Sequence, residues 1–415
     1  MTTAGARIAR LRTAISRPYS APIKKGVFIL TIYVVQSGDT LGGIARRFGV
    51  TTRQLTEDNQ LEYPDRLVPG QSLVIADPQS VCAPPGAPCI DVNGYCYPFI
   101  DRAVFSATMP YLTYVSLFSY TFTTDGSLIT LNGGPLIELA KMQEVKPLMV
   151  ITNISSSGNF DSAHLSALFS SISAQERLIS GIQAELRSQG YSGVDVDFEY
   201  VYATDKERYN NFLRRLTARL HPEGYMVSTA VPAKQGPNQP SGLLFDGIDY
   251  RAHGEIVDMV LLMTYDFSHM AGPPGPVSPI YMMERTLDYA VTEIPRGKLL
   301  MGMPNYGYDW ALPYNPNQLA RSIMLAAAVN LAASKWSPIS FDSAAQTPFF
   351  NYLDASGVQR VVWFDDARSI NAKIKLVDRY AIRGLGYWQI GTMFRPNWLV
   401  LSAQYCVNKS YFAGR

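Results

Sequence analysis

The stretch that most limits what this chain can fold into is Gly193-Val-Asp-Val-Asp-Phe-Glu199. Residues two apart on a strand share a face, so Asp195, Asp197 and Glu199 point one way and Val194, Val196 and Phe198 the other. The apolar set needs an apolar neighbour, which turns the acids towards an interior. A half-exposed strand with a solvated charged face does not fit, because the apolar set is as continuous as the acidic one. Burying carboxylates without a cation costs several kcal/mol. A closed parallel barrel reconciles the two faces: helices cover the outside, and the acids line the inside near the open C-terminal mouth.

Other runs of strand character alternate with helical patterns: Val92–Tyr97, Tyr114–Ser119, Lys146–Thr152, Met226–Val231, Asp258–Tyr265, Leu299–Pro304 and Gly384–Trp388, with helices such as Ser173–Gln189 and Asp205–Leu220 between them. The expected fold is α/β, a (β/α)8 TIM barrel over residues 92–408, with a small α+β insertion over about 309–365 between strands seven and eight that ends in a strand at Val361–Asp365. The 415 residues exceed what one compact core usually holds, so further structure is expected outside the barrel. With 47% hydrophobic and 17% charged residues the chain is a folded one, and a net charge of +2 argues against a nucleic-acid binder. Cys82, Cys89, Cys96 and Cys406 form no Cys-x-x-Cys pair, and His164, His221, His253 and His269 are scattered, so neither a metal nor a cofactor is expected.

Residues 31–76 read as a separate βααβ module: a strand at Ile32–Val35, helices at Leu41–Phe48 and Thr52–Asn59, and a returning strand at Leu73–Ile75. Val35-Gln-Ser-Gly-Asp-Thr-Leu41, Ile44-Ala45, Phe48-Gly49, Asn59 and Pro69-Gly70-Gln71 resemble a LysM domain. The resemblance implies binding of N-acetylglucosamine-containing glycans through the strand–helix and helix–strand loops, with Gly38, Asp39, Thr40, Leu41 and Pro69 as contacts. Ahead of it, residues 1–30 form a basic tail expected to be disordered; the apolar run Gly26–Val35 is too short for a membrane span and lacks the features of a signal peptide. Behind it, residues 77–91 are Pro-rich and read as a linker, so the module is expected to act as a tether; a Cys82–Cys89 disulfide across this segment is one option.

The chemistry follows from the acids. Neighbours on one face of a strand lie roughly 6–7 Å apart and interact electrostatically. One of Asp195 and Asp197 is expected to hold a proton, and Glu199 to have a raised pKa. A carboxylic acid kept protonated near neutral pH is what a glycosidase needs as its general acid. Asp197 and Glu199 approach from one side, so neither is placed to attack from the opposite face of a sugar. An N-acetyl sugar supplies its own nucleophile, the 2-acetamido oxygen.

Ser192-Gly-Val-Asp195-Val-Asp197-Phe-Glu199 resembles the Asp-Gly-x-Asp-x-Asp-x-Glu signature of glycoside hydrolase family 18, with Ser192 in place of the first Asp. Met263-Thr-Tyr265-Asp266, Gly302-Met-Pro-Asn-Tyr306-Gly307 and Trp388 match the family on later strands, while Ile151-Thr-Asn153 departs from it. The resemblance implies Glu199 as acid/base, Asp197 holding the acetamide N–H, Asp195 tuning Asp197, and Tyr265 bonding the acetamide oxygen. Trp388 would stack beneath the sugar; Asp266, Met263, Tyr95, Asn153 and Tyr306 complete the expected substrate-binding set.

One LysM before such a barrel, with Val92-Asn-Gly-Tyr95 opening it and Trp363-Phe-Asp-Asp-Ala-Arg-Ser369 before the last strand, is similar to the spore-germination N-acetylglucosaminidases of the SleL/YaaH type. That implies a monomeric hydrolase acting on peptidoglycan of the spore cortex or cell wall, without a conventional signal peptide. A chitinase is the alternative within enzymes, and a non-catalytic glycan-binding lectin the alternative from another class.

Overall fold

The structure is a computed structural model, and it describes residues 30–76, 83 and 86–409. The expected N-terminal tail up to residue 29 and one partner of the considered disulfide, Cys82, lie outside the described residues.

The LysM region pairs β1 (Thr31–Val34) antiparallel with β2 (Ser72–Ile75) and packs α1 (Leu41–Phe48) and α2 (Thr52–Asn59) on them. Thr40 and Thr51 cap the two helices by accepting from the backbone N–H of Gly43 and Gln54, which is why each begins where the apolar pattern does. Gly49 ends α1 at φ 71°, a left-handed conformation that favours glycine. Leu41, Ile44, Leu55, Leu73 and Ile75 close a small core.

The barrel strands are β3 (Cys89–Cys96), β4 (Tyr114–Phe122), β5 (Lys146–Thr152), β6 (Gly193–Asp197), β7 (Met226–Pro232), β8 (Met259–Met263) and β9 (Leu299–Pro304), with a last strand at Gly384–Trp388. Each pairs in parallel with its neighbours, and the last strand pairs with β3, closing the barrel. Val194, Val196 and Phe198 are fully buried in the shell between strands and helices. Between β9 and the last strand lies an antiparallel sheet of five strands: β10 (Tyr306–Ala311), β11 (Arg321–Met324), β12 (Ser340–Asp342), β13 (Thr347–Leu353) and β14 (Gln359–Trp363), with a helix at Leu325–Ser334. The last barrel strand is then β15 (Gly384–Trp388), and β16 (Cys406–Val407) adds to the start of β3.

Two expectations change. The barrel begins at Cys89, inside the segment read as linker, because β16 supplies a partner there: Cys406 N–H donates to the Pro88 carbonyl at 3.0 Å. The LysM region is also no loose tether. Arg395 Nε meets Asp58 Oδ1 at 2.8 Å, Asn330 bonds the backbone of Gln60 and Glu62, and Arg368 donates to the Gly70 carbonyl. Val68 and Val74 belong to the same apolar cluster as the barrel shell. Gly70, at φ 84°, sits so close to the insertion that a Cβ there would lie 1.9 Å from the Ile339 carbonyl oxygen.

Candidate active site

The acids come together at the C-terminal mouth. Asp195 and Asp197 are inward residues of β6, and pairing with β5 runs as far as Thr152 opposite Asp197. There the strand ends, since pairing with β7 stops at Val196 opposite Thr229. Glu199, expected within the strand, therefore lies just beyond it, ahead of Tyr200 at φ 56°. Asn153 holds that turn: its Oδ1 accepts from Glu199 N–H at 3.0 Å and its Nδ2 donates to the Glu199 carbonyl at 3.0 Å. Asn153 is fully buried with both polar atoms committed, so its place is behind the acid and a sugar contact is not what its geometry offers.

The electrostatics follow from burial, with no ion pair to Asp195, Asp197 or Glu199 among the described residues. Ser228 Oγ donates to Asp195 Oδ1 at 2.5 Å and Tyr95 Oη to Oδ2 at 2.6 Å. Burial raises the Asp195 pKa and these hydrogen bonds pull against it. Asp197 is held well above the ordinary carboxylate range by burial and then by the charges of Glu199 and Asp195. Its Oδ1 is buried with no hydrogen-bond partner among the described residues. Glu199 is pushed up to about 7, by burial first and Asp266 second. Burial and the neighbouring carboxylates, Asp197 foremost, keep the Tyr265 phenol protonated, the state in which it donates. Gly302 makes room for that ring: a Cβ there would lie 2.7 Å from the Tyr265 Cε1.

The remaining candidates divide by position. Trp388 ends β15 amid a wall of rings, with Phe118 at 4.8 Å, Tyr95 at 5.7 Å and Tyr97 at 6.1 Å between centroids. Met263 packs with the same cluster. Tyr306 Oη donates to Asp266 Oδ1 at 2.7 Å, and Asp266 has a positive φ of 58°, a strained conformation of the kind that clusters at functional sites. Sequence reasoning missed Tyr308, whose hydroxyl reaches the same Asp266 oxygen at 2.9 Å. The alternation Tyr306-Gly-Tyr308 was the available signal, since residues two apart share a face. It also missed Ser228, inward on β7, and the aromatic wall of Tyr97 and Phe118. Ser192, which replaces the signature's first Asp, sits at the foot of β6, where its N–H bonds the Pro147 carbonyl.

In the LysM region, Gly38 takes φ 86° in the strand–helix turn, and Asp39 Oδ2 accepts from Tyr33 Oη at 2.6 Å and Gln36 N–H at 2.7 Å. Thr40 is the α1 cap, and Leu41 is buried in the small core, which withdraws its side chain from glycan contact. The Pro69 carbonyl accepts from Ile339 N–H of the barrel insertion.

Residues 101–392 match the model of glycosyl hydrolases family 18, and residues 33–76 that of the LysM domain. The chain is 36% identical to the cortical fragment-lytic enzyme of Bacillus subtilis, over 92% of this chain and 100% of that one. The crystal structure of the Bacillus cereus spore cortex-lytic enzyme SleL superposes with a TM-score of 0.86 at 32% identity, over 92% of this chain and 99% of the other. A chitinase from Chromobacterium violaceum is more distant, with a TM-score of 0.68 at 26% identity over 75% of this chain and 98% of its own. Two buried, inward acids on the fourth strand of a closed parallel barrel, together with these matches, make the chain a glycosidase of glycosyl hydrolases family 18 that carries a LysM domain.

Proposed function

We propose that this glycosidase cleaves the β-1,4 bond on the reducing side of N-acetylglucosamine in spore cortex peptidoglycan, by substrate-assisted catalysis with retention. The observation that carries the reading is the pair formed by Glu199, pushed up to about 7, and Asp197, whose buried Oδ1 has no hydrogen-bond partner among the described residues. Protonated Glu199 delivers its proton to the glycosidic oxygen as the bond breaks. The acetamide carbonyl oxygen of the same sugar attacks the anomeric carbon, Asp197 receives the acetamide N–H, and Tyr265 donates to the acetamide oxygen. Glu199, now ionised, removes a proton from the water that opens the oxazolinium ring, so the anomeric configuration is retained. Trp388 forms the floor on which the ring stacks.

The similarity to cortex-lytic relatives along nearly the whole chain supports cortex as substrate and the spore cortex or wall as the place of action. All the site residues come from one barrel, which supports a single chain as the working unit. The polymer is the partner this reading assigns; the net charge of +2 speaks against a nucleic-acid partner, and among the described residues no helix is long and apolar enough to cross a membrane. The LysM region adds hold on the same polymer.

Cortex chemistry makes the bond specific. Muramic δ-lactam has its nitrogen closed into a ring, so its carbonyl does not reach the anomeric carbon, whereas N-acetylglucosamine keeps a free acetamide. Borohydride reduction and mass spectrometry of digested cortex fragments should therefore show N-acetylglucosaminitol ends. Ends in reduced muramic acid would make the enzyme a muramidase and overturn the reading. Chitin oligomers in parallel test the chitinase reading, which the Chromobacterium violaceum structure supports; turnover of chitin alone would favour it.

A further inference from the structure

The face of the barrel opposite the acids carries a pair of thiols that the chemistry above does not use. β3 and β16 run parallel with Cys406 directly opposite Cys89 and Val407 opposite Ile90. The backbone holds that register on both sides: Cys406 N–H donates to the Pro88 carbonyl at 3.0 Å and Asn408 N–H to the Ile90 carbonyl at 2.9 Å. Side-chain contacts hold it too, with Asn408 Nδ2 on Asp91 Oδ1 at 2.9 Å and Lys409 Nζ on the Met109 carbonyl at 2.9 Å. In-register residues on neighbouring strands project to one face, with backbones about 4.8 Å apart, inside the roughly 4.4–6.8 Å between Cα atoms that a disulfide accepts. Interaction with the neighbouring Cys89 thiol pushes Cys406 up to about 11, and the Cys406 thiol also donates to the Val407 carbonyl at 3.8 Å. Cys89 is exposed and Cys406 half-buried, so a small reagent reaches the pair. Cys96, fully buried on the same strand and pushed up to about 12, has neither access nor this neighbour.

We propose that Cys89 and Cys406 are a modification site: they exchange with a low-molecular-weight disulfide to form an intramolecular bond that ties the beginning of the barrel to its end. The Cys89 thiolate attacks the small disulfide, forming a mixed disulfide and releasing one small thiol. Cys406 gives up its proton and attacks the Cys89 sulfur, forming the protein bond and releasing the second small thiol. Two protein thiols are oxidised, one small disulfide is reduced, and the two protons end on the released thiols. The bond spans nearly the whole barrel sequence, the case in which loop closure restrains the unfolded chain most.

The test uses full-length protein and a Cys82→Ser variant, incubated with oxidised glutathione or with dithiothreitol, then alkylated in denaturant and mapped by mass spectrometry without further reduction. The expected result is a Cys89–Cys406 cross-link in both proteins after oxidation and none after reduction. Reduction should lower Tm by about 5 °C and leave turnover of soluble oligosaccharides unchanged, since the pair lies away from the mouth. Cys406→Ser should lose the cross-link and the Tm response together. Three results after oxidation would each overturn the proposal: Cys89 and Cys406 both alkylated, both joined to glutathione, or Cys89 joined to Cys82 instead; wild-type mapping alone gives that answer if a variant fails to fold.

Discussion

Buried carboxylates occur in two regions of this molecule, and they differ in what faces them. In the insertion, Asp309 meets Arg360 Nε at 2.8 Å, and Asp365, at the foot of the sheet, has Lys373 Nζ at 2.6 Å from both oxygens. Burial pushes Lys373 down and Asp365 up, yet each has its counter-ion in contact and Ser278 completes the shell. At the barrel mouth, buried Asp195 and Asp197, with half-buried Glu199 just beyond them, face hydroxyls, rings and one another. Charge that a cation neutralises becomes structure. Charge with no cation is relieved by holding a proton, and a held proton is one that can be transferred. The same residue type therefore does two jobs, and the neighbour decides which.

The comparison breaks most visibly at Glu199. Glu199→Gln should lower kcat about 10³-fold or more, because the amide neither gives nor takes the proton, while Tm stays within a degree or two of wild type. A variant keeping a tenth of wild-type turnover would remove Glu199 from the acid/base role. Lys373→Met should do the reverse. It leaves Asp365 buried without a cation, costs about 3 kcal/mol or more in denaturant unfolding, and spares the turnover of whatever protein remains folded. If it proves as stable as wild type, the division between the two regions fails.

Asp197→Asn should lower kcat about 10²-fold with KM little changed, since Asp197 is assigned to the charged intermediate; a change confined to KM would argue against the substrate-assisted route. The pH dependence of Glu199 has a fixed sign. Its folded pKa, about 7, lies above the ordinary glutamate value. The protonated form is needed, so kcat/KM should fall about tenfold per pH unit above that value. For stability, the folded state binds the proton more tightly than the unfolded one. This contribution is full below the ordinary glutamate range and is lost as pH rises through about 7. Glu199→Gln should remove that slope from a Tm-against-pH series. The smallest effect belongs to Arg395→Ala, because its bridge to Asp58 is half-exposed on the arginine side. A loss of about 1 kcal/mol is expected, read as a lower Tm with unchanged kcat on soluble substrate.

The docked LysM region changes one expectation drawn from the linker. Val68 and Val74 share the barrel's apolar shell, so removing residues 1–76 exposes that surface and takes away β2. Loss of activity on small soluble glycans is then a stability effect, not a loss of targeting.

What the sequence determined by itself is whatever period and polarity encode locally. The barrel strands are readable because each lies between an outer shell of helices and a filled interior, which leaves short apolar runs spaced by helices. The inward direction of Asp195 and Asp197 follows from the two-residue period of a strand, and the LysM elements from their caps and Gly49. The tertiary structure alone decided the partners. Asn153 looks like any polar residue at a strand end until the next strand brings the Glu199 backbone against it. Asp365 and Asp197 differ in what packs on them: the first folds against Lys373, which the helix Ala367–Ile374 brings back to it, and the second lies among the other acids. Likewise, Pro69-Gly70 reads as a turn in a free module, and only the insertion's Ile339, far along the chain, turns it into an interface. A pattern of side chains along one strand sets which way each points, but the charge and shape of what it meets depend on how the elements pack, and that decides whether a buried acid is paired with a cation or left holding a proton.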